Sequence, residues 1–413
     1  MIDLLKLSIP FKESELIIVK SADYKNGVYI DLENVSRVSG LRLSARSVEY
    51  EIDGDLTVTG LNHPFDSLPT HYSGIAMKVY AGSFNRLPCV EIKASPAKIL
   101  QGHNVFGSTN LELCSLELLI NLSVALPELY DLLDVENTVI DRIDATYSAK
   151  MENQFQAQQV LNILRNVSNG QTKKTRANDF ETTCMWNETS RHRVLIAYLK
   201  YPELMNQLAM AERNKDKDES SKRLYEVMSD KRLHDFSVGL VRFEARLKQR
   251  FLSVNGLPAK LFDAIHYQHS YESKGGDLFA DLWKKAFSEL LAALEGAEMN
   301  IYDDNEVLDK LKSEYFAVTK NGNHSYSKAM RIFGFYRRLV NEGYNNVQDT
   351  MPRNSFYRAL NDLMVIGFSK AQLQQLSSDK SSVVPLFRVI NIDFNNQRPS
   401  WYVEPRSHFD RVA

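Results

Sequence analysis

Three tripeptides, Arg142-Ile143-Asp144, Tyr198-Leu199-Lys200 and Arg242-Phe243-Glu244, set reactive side chains inside short apolar runs. Strand alternation sends Arg142, Asp144, Thr146 and Ser148 to one face and Ile143, Ala145 and Tyr147 to the other. Arg242, Glu244, Arg246 and Lys248 likewise oppose Val241, Phe243, Ala245 and Leu247, while Tyr198 shares a face with Val194, Ile196 and Lys200. Glu91, in Cys89-Val-Glu-Ile-Lys-Ala-Ser95, has Lys93 and Ser95 on its face. Carboxylate oxygens are the ligands Mg²⁺ and Mn²⁺ prefer, and three on one sheet are costly unless a cation neutralises them. A phenol, with its ordinary pKa of about 10, is a poor nucleophile until a cation helps it. A lysine two residues on can steady the phosphate or the phenolate. Acids, tyrosine and lysine on neighbouring strands therefore suit metal-assisted attack on a phosphodiester.

Other residues offer donors rather than reactive groups. Trp186-Asn-Glu-Thr-Ser-Arg-His-Arg193 precedes the tyrosine strand and gathers Arg191, His192 and Arg193 in one polar turn. The loop Ser168–Arg176 carries Lys173, Lys174 and Arg176 and no acid. Both suit contact with a DNA backbone. The nine histidines include no His-hydrophobic-His pair, and the three cysteines have no metal-ligand spacing, so neither a histidine-held metal nor structural zinc is indicated.

These side chains need a sheet to hold them. Residues 1–110 read as strand-rich, with runs at 16–19, 28–32, 48–52, 56–58, 75–80 and 88–94 separated by turn signals. Leu111–Leu133 and Gln154–Val167 have apolar residues at helical spacing. Strands follow at Thr182–Trp186, Val194–Leu199 and Leu240–Lys248. The expected fold is α+β: a central, mostly antiparallel sheet flanked by helices, then a smaller helix-rich C-terminal region. At 413 residues two domains are expected, and the pattern shift near Met299 divides the chain into 1–298 and 299–413. Beyond residue 330, aromatic-basic stretches such as Phe333-Gly-Phe-Tyr-Arg-Arg338 and Arg353-Asn-Ser-Phe-Tyr-Arg358 suggest a modest DNA contact.

Composition sets the setting. Net charge is −2, so no global positive field attracts nucleic acid and any contact must be local. The unpaired cysteine count, the lack of a leader-like N-terminus and the lack of a membrane-length apolar run predict a soluble intracellular protein.

Longer stretches carry a resemblance: Leu43-Ser-Ala-Arg46 through Val58, Leu68-Pro-Thr-His-Tyr-Ser-Gly74, Cys89–Lys98 with Gln101-Gly-His-Asn-Val-Phe-Gly107, Leu164–Lys173, Trp186–Arg193 and Phe333–Gly343. Nearly end to end, the chain resembles the replication initiators of filamentous bacteriophages, the gene II protein family. The resemblance implies a site-specific DNA nickase that cuts the plus strand at the phage origin, then cuts again and joins the displaced strand into a circle. It implies Mg²⁺, or Mn²⁺ in its place, and as partners double-stranded origin DNA, the displaced single strand, and host helicase and polymerase. Self-association on DNA and the host bacterial cytoplasm belong to the same expectation. On this resemblance Tyr198 becomes the nucleophile with Lys200 assisting, and Asp144, Glu244 and Glu91 become metal ligands. Tyr201 ranks below Tyr198 because Pro202 follows it. Rolling-circle initiators commonly use a histidine pair for metal, and this chain lacks one. The competing readings are a non-catalytic origin-binding protein and a metal-dependent nickase with no covalent intermediate. A shorter product starting at Met299 is also implied.

Overall fold

Alternating apolar runs become strands because one face of each can be buried while the other stays polar. The computed structural model describes residues 1–20, 27–41, 45–50, 56–61, 66–164, 182–294, 304–318, 323–376, 390 and 392–411. In chain order the first thirteen strands are β1 (Ile2–Pro10), β2 (Leu16–Val19), β3 (Gly27–Ile30), β4 (Ala45–Tyr50), β5 (Leu56–Leu61), β6 (Asp66–Pro69), β7 (Gly74–Tyr80), β8 (Gly82–Ser83), β9 (Cys89–Ala94), β10 (Val139–Lys150), β11 (Thr183–Trp186), β12 (Arg193–Leu199) and β13 (Leu240–Lys248). Eight of them form one sheet in the order β11-β12-β13-β10-β1-β9-β7-β6, with every neighbouring pair antiparallel. With its flanking helices the chain is α+β.

One face of this sheet is apolar. Leu5, Ile143, Ala145, Tyr147, Phe243, Leu247, Leu195 and Ala197 project from it into the main core. Leu278, Phe279, Leu282, Trp283, Ala286, Phe287 and Leu290 recur at helical spacing in the helix Leu278–Leu294 and cover that face. Trp283 donates its indole N–H to the Phe243 carbonyl at 3.0 Å and stacks on Phe287 at 4.3 Å. β13 is thereby fixed from behind.

The opposite face is polar and carries the residues of interest. It is partly covered by the segment after the helix Pro96–Gln101, which ends at Gly102 with φ of 80°. A Cβ there would meet Tyr72 and Val227 at 3.2 Å, so a side chain is poorly accommodated. The helices Lys200–Asn214, Glu219–Met228 and Lys231–Ser237 contribute Leu204, Met228 and Leu233 to a small core with Val105 and Phe106.

Residues 307–376 build a separate helical core around Leu311, Ile332, Phe335, Tyr336, Leu339, Phe356 and Leu360. Phe335, Tyr336 and Phe356 are thus interior groups, which corrects the expectation that these aromatics face a ligand. Arg337 and Arg338 pair with Asp304 and Glu342. Past this core, residues 392–411 return to the large sheet. Phe394 packs on Tyr147 and Trp283 at 4.9 and 5.6 Å, and Ser407 donates to buried Glu117 at 2.7 Å.

Candidate active site

Register places the polar residues in rows across β12, β13 and β10. Directly opposite residues on antiparallel strands share a face. Tyr198 lies opposite Arg242, which lies opposite Ser148. The next row is Ile196, Glu244 and Thr146, and the one after it Val194, Arg246 and Asp144. Tyr198, Glu244 and Asp144 therefore do meet on one face of three adjacent strands.

A third acid joins them from β1. The pairing of β1 with β10 slips between Ile2 and Leu4, so two β1 residues oppose one step of β10. Such a bulge re-aims a side chain. Asp3, which strict alternation would send to the apolar side with Leu5 and Leu7, instead acts on both Asp144 and Glu244 and on Tyr198. It is buried and accepts a 2.8 Å hydrogen bond from Asn104 Nδ2. Sequence reasoning missed it because β1 was not read as a strand, although Ile2-Asp-Leu-Leu-Lys-Leu-Ser-Ile9 alternates clearly enough to reveal one.

Each acid has a cation beside it. Arg142 reaches back along β10 to Asp144, with Nε at 2.6 Å and Nη2 in closer contact. Arg246 Nε donates to Glu244 Oε1 at 2.7 Å and lies 3.9 Å from Asp144. Burial is the main force raising the Asp144 carboxyl, opposed by Arg142. Burial also pushes Glu244 up to about 7, helped by the charges of Asp144 and Asp3. Two neighbouring carboxyls are thus held reluctant to ionise together.

Tyr198 and Lys200 part company. The strand ends at Leu199, and Lys200 is the first residue of the helix Lys200–Asn214, with Pro202 in its first turn. The expectation that Lys200 continues the strand face is corrected; Pro202 was the signal. Its ammonium is buried, donates to Asn104 Oδ1 at 2.8 Å and pairs closely with Glu203. Burial lowers it to about 8, against the pull of Glu203. The main cation acting on the Tyr198 phenol is Arg242, which draws its pKa down while burial holds it well above 10. Arg242 is itself buried and clamps the Asn104 and Val105 carbonyls.

Glu91 lies elsewhere. It sits on β9, opposite Ser8 of β1, and pairs with Lys6 at 2.8 Å and Arg86 at 3.3 Å. Two strands and several rows separate it from Asp144, so it does not converge with the other acids. Asp3 takes that place.

Of the expected DNA contacts, Lys173, Lys174 and Arg176 lie outside the described residues. Arg191 is exposed and lines an open cleft of about 690 Å³ with Lys6, Arg142, Lys248 and exposed Arg250. His192 is exposed, and its carbonyl accepts from the Lys248 N–H at 3.0 Å. Arg193 is engaged with Glu289 at 3.1 Å and sits over Phe251. Of the three, Arg191 best fits a phosphate contact.

Asp3, Asp144, Glu244 and Glu203 are matched by Arg142, Arg242, Arg246 and Lys200, so the face balances its charge internally. Among the described residues, no group of three or more His, Cys, Asp or Glu side chains stands ready to enclose a metal ion. The all-oxygen donor chemistry of Asp144, Glu244 and Asp3 fits a hard divalent cation, and seating one requires Arg142 and Arg246 to release their carboxylates.

Residues 1–274 match the N-terminal family of the phage replication-associated protein encoded by gene II, and residues 318–408 match the C-terminal family of the same protein. The chain is similar to the replication-associated protein of Salmonella phage IKe, 55% identical over 100% of this chain and 98% of that protein. It is 56% identical to the Enterobacteria phage M13 protein of the same name, over 98% and 99% of the two chains. A solved rolling circle replication initiator protein from Geobacillus stearothermophilus is 12% identical with a TM-score of 0.23, covering 62% of this chain and 80% of that one.

Proposed function

The chain belongs to the gene II replication-associated protein family of filamentous phages, and from that premise we infer that it initiates rolling-circle replication by nicking and later rejoining one DNA strand. Its substrates are double-stranded phage origin DNA and the displaced single strand, and it works with host helicase and polymerase in the host bacterial cytoplasm. The observation that carries the chemistry is the row-by-row placement of Tyr198, Glu244 and Asp144 on one face of β12, β13 and β10.

Tyr198 Oη attacks phosphorus in line, the P–O3′ bond breaks, and the products are a 5′-phosphotyrosine and a free 3′-hydroxyl. That ester conserves the energy of the cut bond, so attack by a new 3′-hydroxyl reseals the strand without ATP. Arg242 supports the phenolate. Lys200 positions Asp3 through Asn104 rather than touching the phosphate. Mg²⁺, or Mn²⁺ in its place, held by Asp144, Glu244 and Asp3, supplies charge neutralisation at the non-bridging phosphate oxygens.

Supercoiled origin DNA with Mg²⁺ and the Tyr198→Phe protein tests the reading. Wild type is expected to nick and rejoin, and the variant to bind without cutting. A variant that still nicks establishes a hydrolytic enzyme, and a wild type that never nicks establishes a binding protein.

A further inference from the structure

β10 outruns its neighbour. Its pairing with β1 ends at Ala145, and beyond that the Thr146 N–H and carbonyl are taken by Met1. The Ser148 N–H and carbonyl are taken by the side-chain amide of Gln397, at 2.7 and 3.0 Å, in the manner of a strand residue. Between these two substitutes the sheet leaves a cavity of about 620 Å³, roofed by residues 393–398 of the returning segment.

The cavity is unsatisfied. Thr146 and Tyr147 both line it, both are 3% exposed, and neither hydroxyl has a hydrogen-bond partner among the described residues. Buried hydroxyls without partners cost stability and point to a ligand that completes them. The walls offer the aromatic rings of Phe106 and Phe394, the amides of Asn395 and Asn396, and the guanidinium of Arg398. Stacking faces, amide donors and acceptors, and positive charge together recognise an unpaired nucleotide, and the volume suits one. The cavity also adjoins the candidate active site, since Thr146 lies opposite Glu244 and the lining residue Arg242 lies opposite Tyr198.

We propose that this cavity receives one unpaired nucleotide of the strand being cut, next to the linkage presented to Tyr198. The proposal rests on the nicking function inferred above. It makes the returning C-terminal segment part of the DNA-binding site.

The test uses the full-length chain in EDTA, so that nothing is cut, with single-stranded origin oligonucleotides carrying 2-aminopurine at one position at a time. One position should change fluorescence strongly, and an abasic residue there should weaken binding about tenfold, the scale of one stacked base. The double variant Asn395→Ala/Asn396→Ala should lose the positional response. Thr146→Val should raise the melting temperature of the free protein yet weaken the oligonucleotide, which a merely structural threonine would not do. No responsive position, or a response unchanged in both variants, overturns the proposal. Competition by micromolar free deoxynucleoside monophosphate overturns the assignment to a strand. Nicking assays stand apart: intact tyrosine-dependent nicking with a silent cavity sinks only this proposal, while a responsive cavity alongside a Tyr198→Phe protein that still nicks sinks only the tyrosine chemistry.

Discussion

Glu244 carries the heaviest electrostatic load on the polar face, and its titration can be read from outside. Its carboxyl is raised from an ordinary 4.5 to about 7, first by burial and then by Asp144 and Asp3. The folded protein therefore holds a proton there that the unfolded chain has already released between these values. Stability linked to this group is fully present below about pH 4.5 and is lost as pH rises through 7. Melting temperature should fall from pH 5 to pH 8, and Glu244→Gln should flatten that fall. A divalent ion held by Asp144 and Glu244 removes the repulsion, so millimolar Mn²⁺ should raise the wild-type melting temperature more at pH 8 than at pH 5. An equal Mn²⁺ effect in the Gln variant would remove Glu244 from the ligand set. Arg142 tests the other side of the balance. Arg142→Gln leaves Asp144 nearly fully buried with only the more distant Arg246. A loss of about 2 kcal/mol in urea unfolding is expected, below the range for a fully buried pair because Arg142 is partly exposed. Mn²⁺ should recover part of that loss.

Elements explain why some of the site was readable and some was not. Alternation placed Asp144, Glu244 and Tyr198 correctly on polar faces, because β10, β12 and β13 are regular where those residues sit and their other faces are buried by apolar groups. Period-2 patterning reports such local facts well. It says nothing of strand order, and so could not show that β1 separates β10 from β9 and keeps Glu91 apart. Nor does it report a bulge, which is a mismatch between two strands rather than a property of one; hence Asp3 was hidden. Lys200 failed for a third reason, since a strand-to-helix switch at Leu199 ended the alternation one residue early. The α+β class was legible because long helical and short alternating runs are both plain in the chain. The support beneath the site is a tertiary matter. Trp283 is fully buried, stacks on Phe287 and caps the Phe243 carbonyl behind Arg242 and Glu244. Trp283→Ala should cost about 3–5 kcal/mol, measured by the urea midpoint. Nicking should fall alongside stability if β13 depends on that helix for its position, and an unchanged midpoint would remove the helix from the supporting structure.

At the scale of the whole molecule, charge decides how DNA can be held. Fifty lysines and arginines face 52 aspartates and glutamates, leaving a net charge of −2. A polyanion approaching from a distance meets no attraction, so association must depend on a local patch that outweighs the average. Many cations are already committed, as in Arg142 with Asp144, Arg193 with Glu289, and Lys6 and Arg86 with Glu91. The cleft beside Asp144 differs, because exposed Arg191 and Arg250 stand at its edge. Each phosphate neutralised by such a group contributes about −0.9 to the slope of log K against log salt on duplex DNA. Arg191→Ala and Arg250→Ala should therefore each reduce the slope for origin duplex by about one, and the double variant by about two. Fluorescence anisotropy across a salt series reads this directly. Because phosphate contacts carry no sequence information, the same variants should weaken binding to unrelated duplex in parallel. Discrimination between origin and unrelated DNA should stay nearly constant. Slopes that match wild type would exclude this cleft as the duplex path, and loss of discrimination alone would make Arg191 and Arg250 base readers instead.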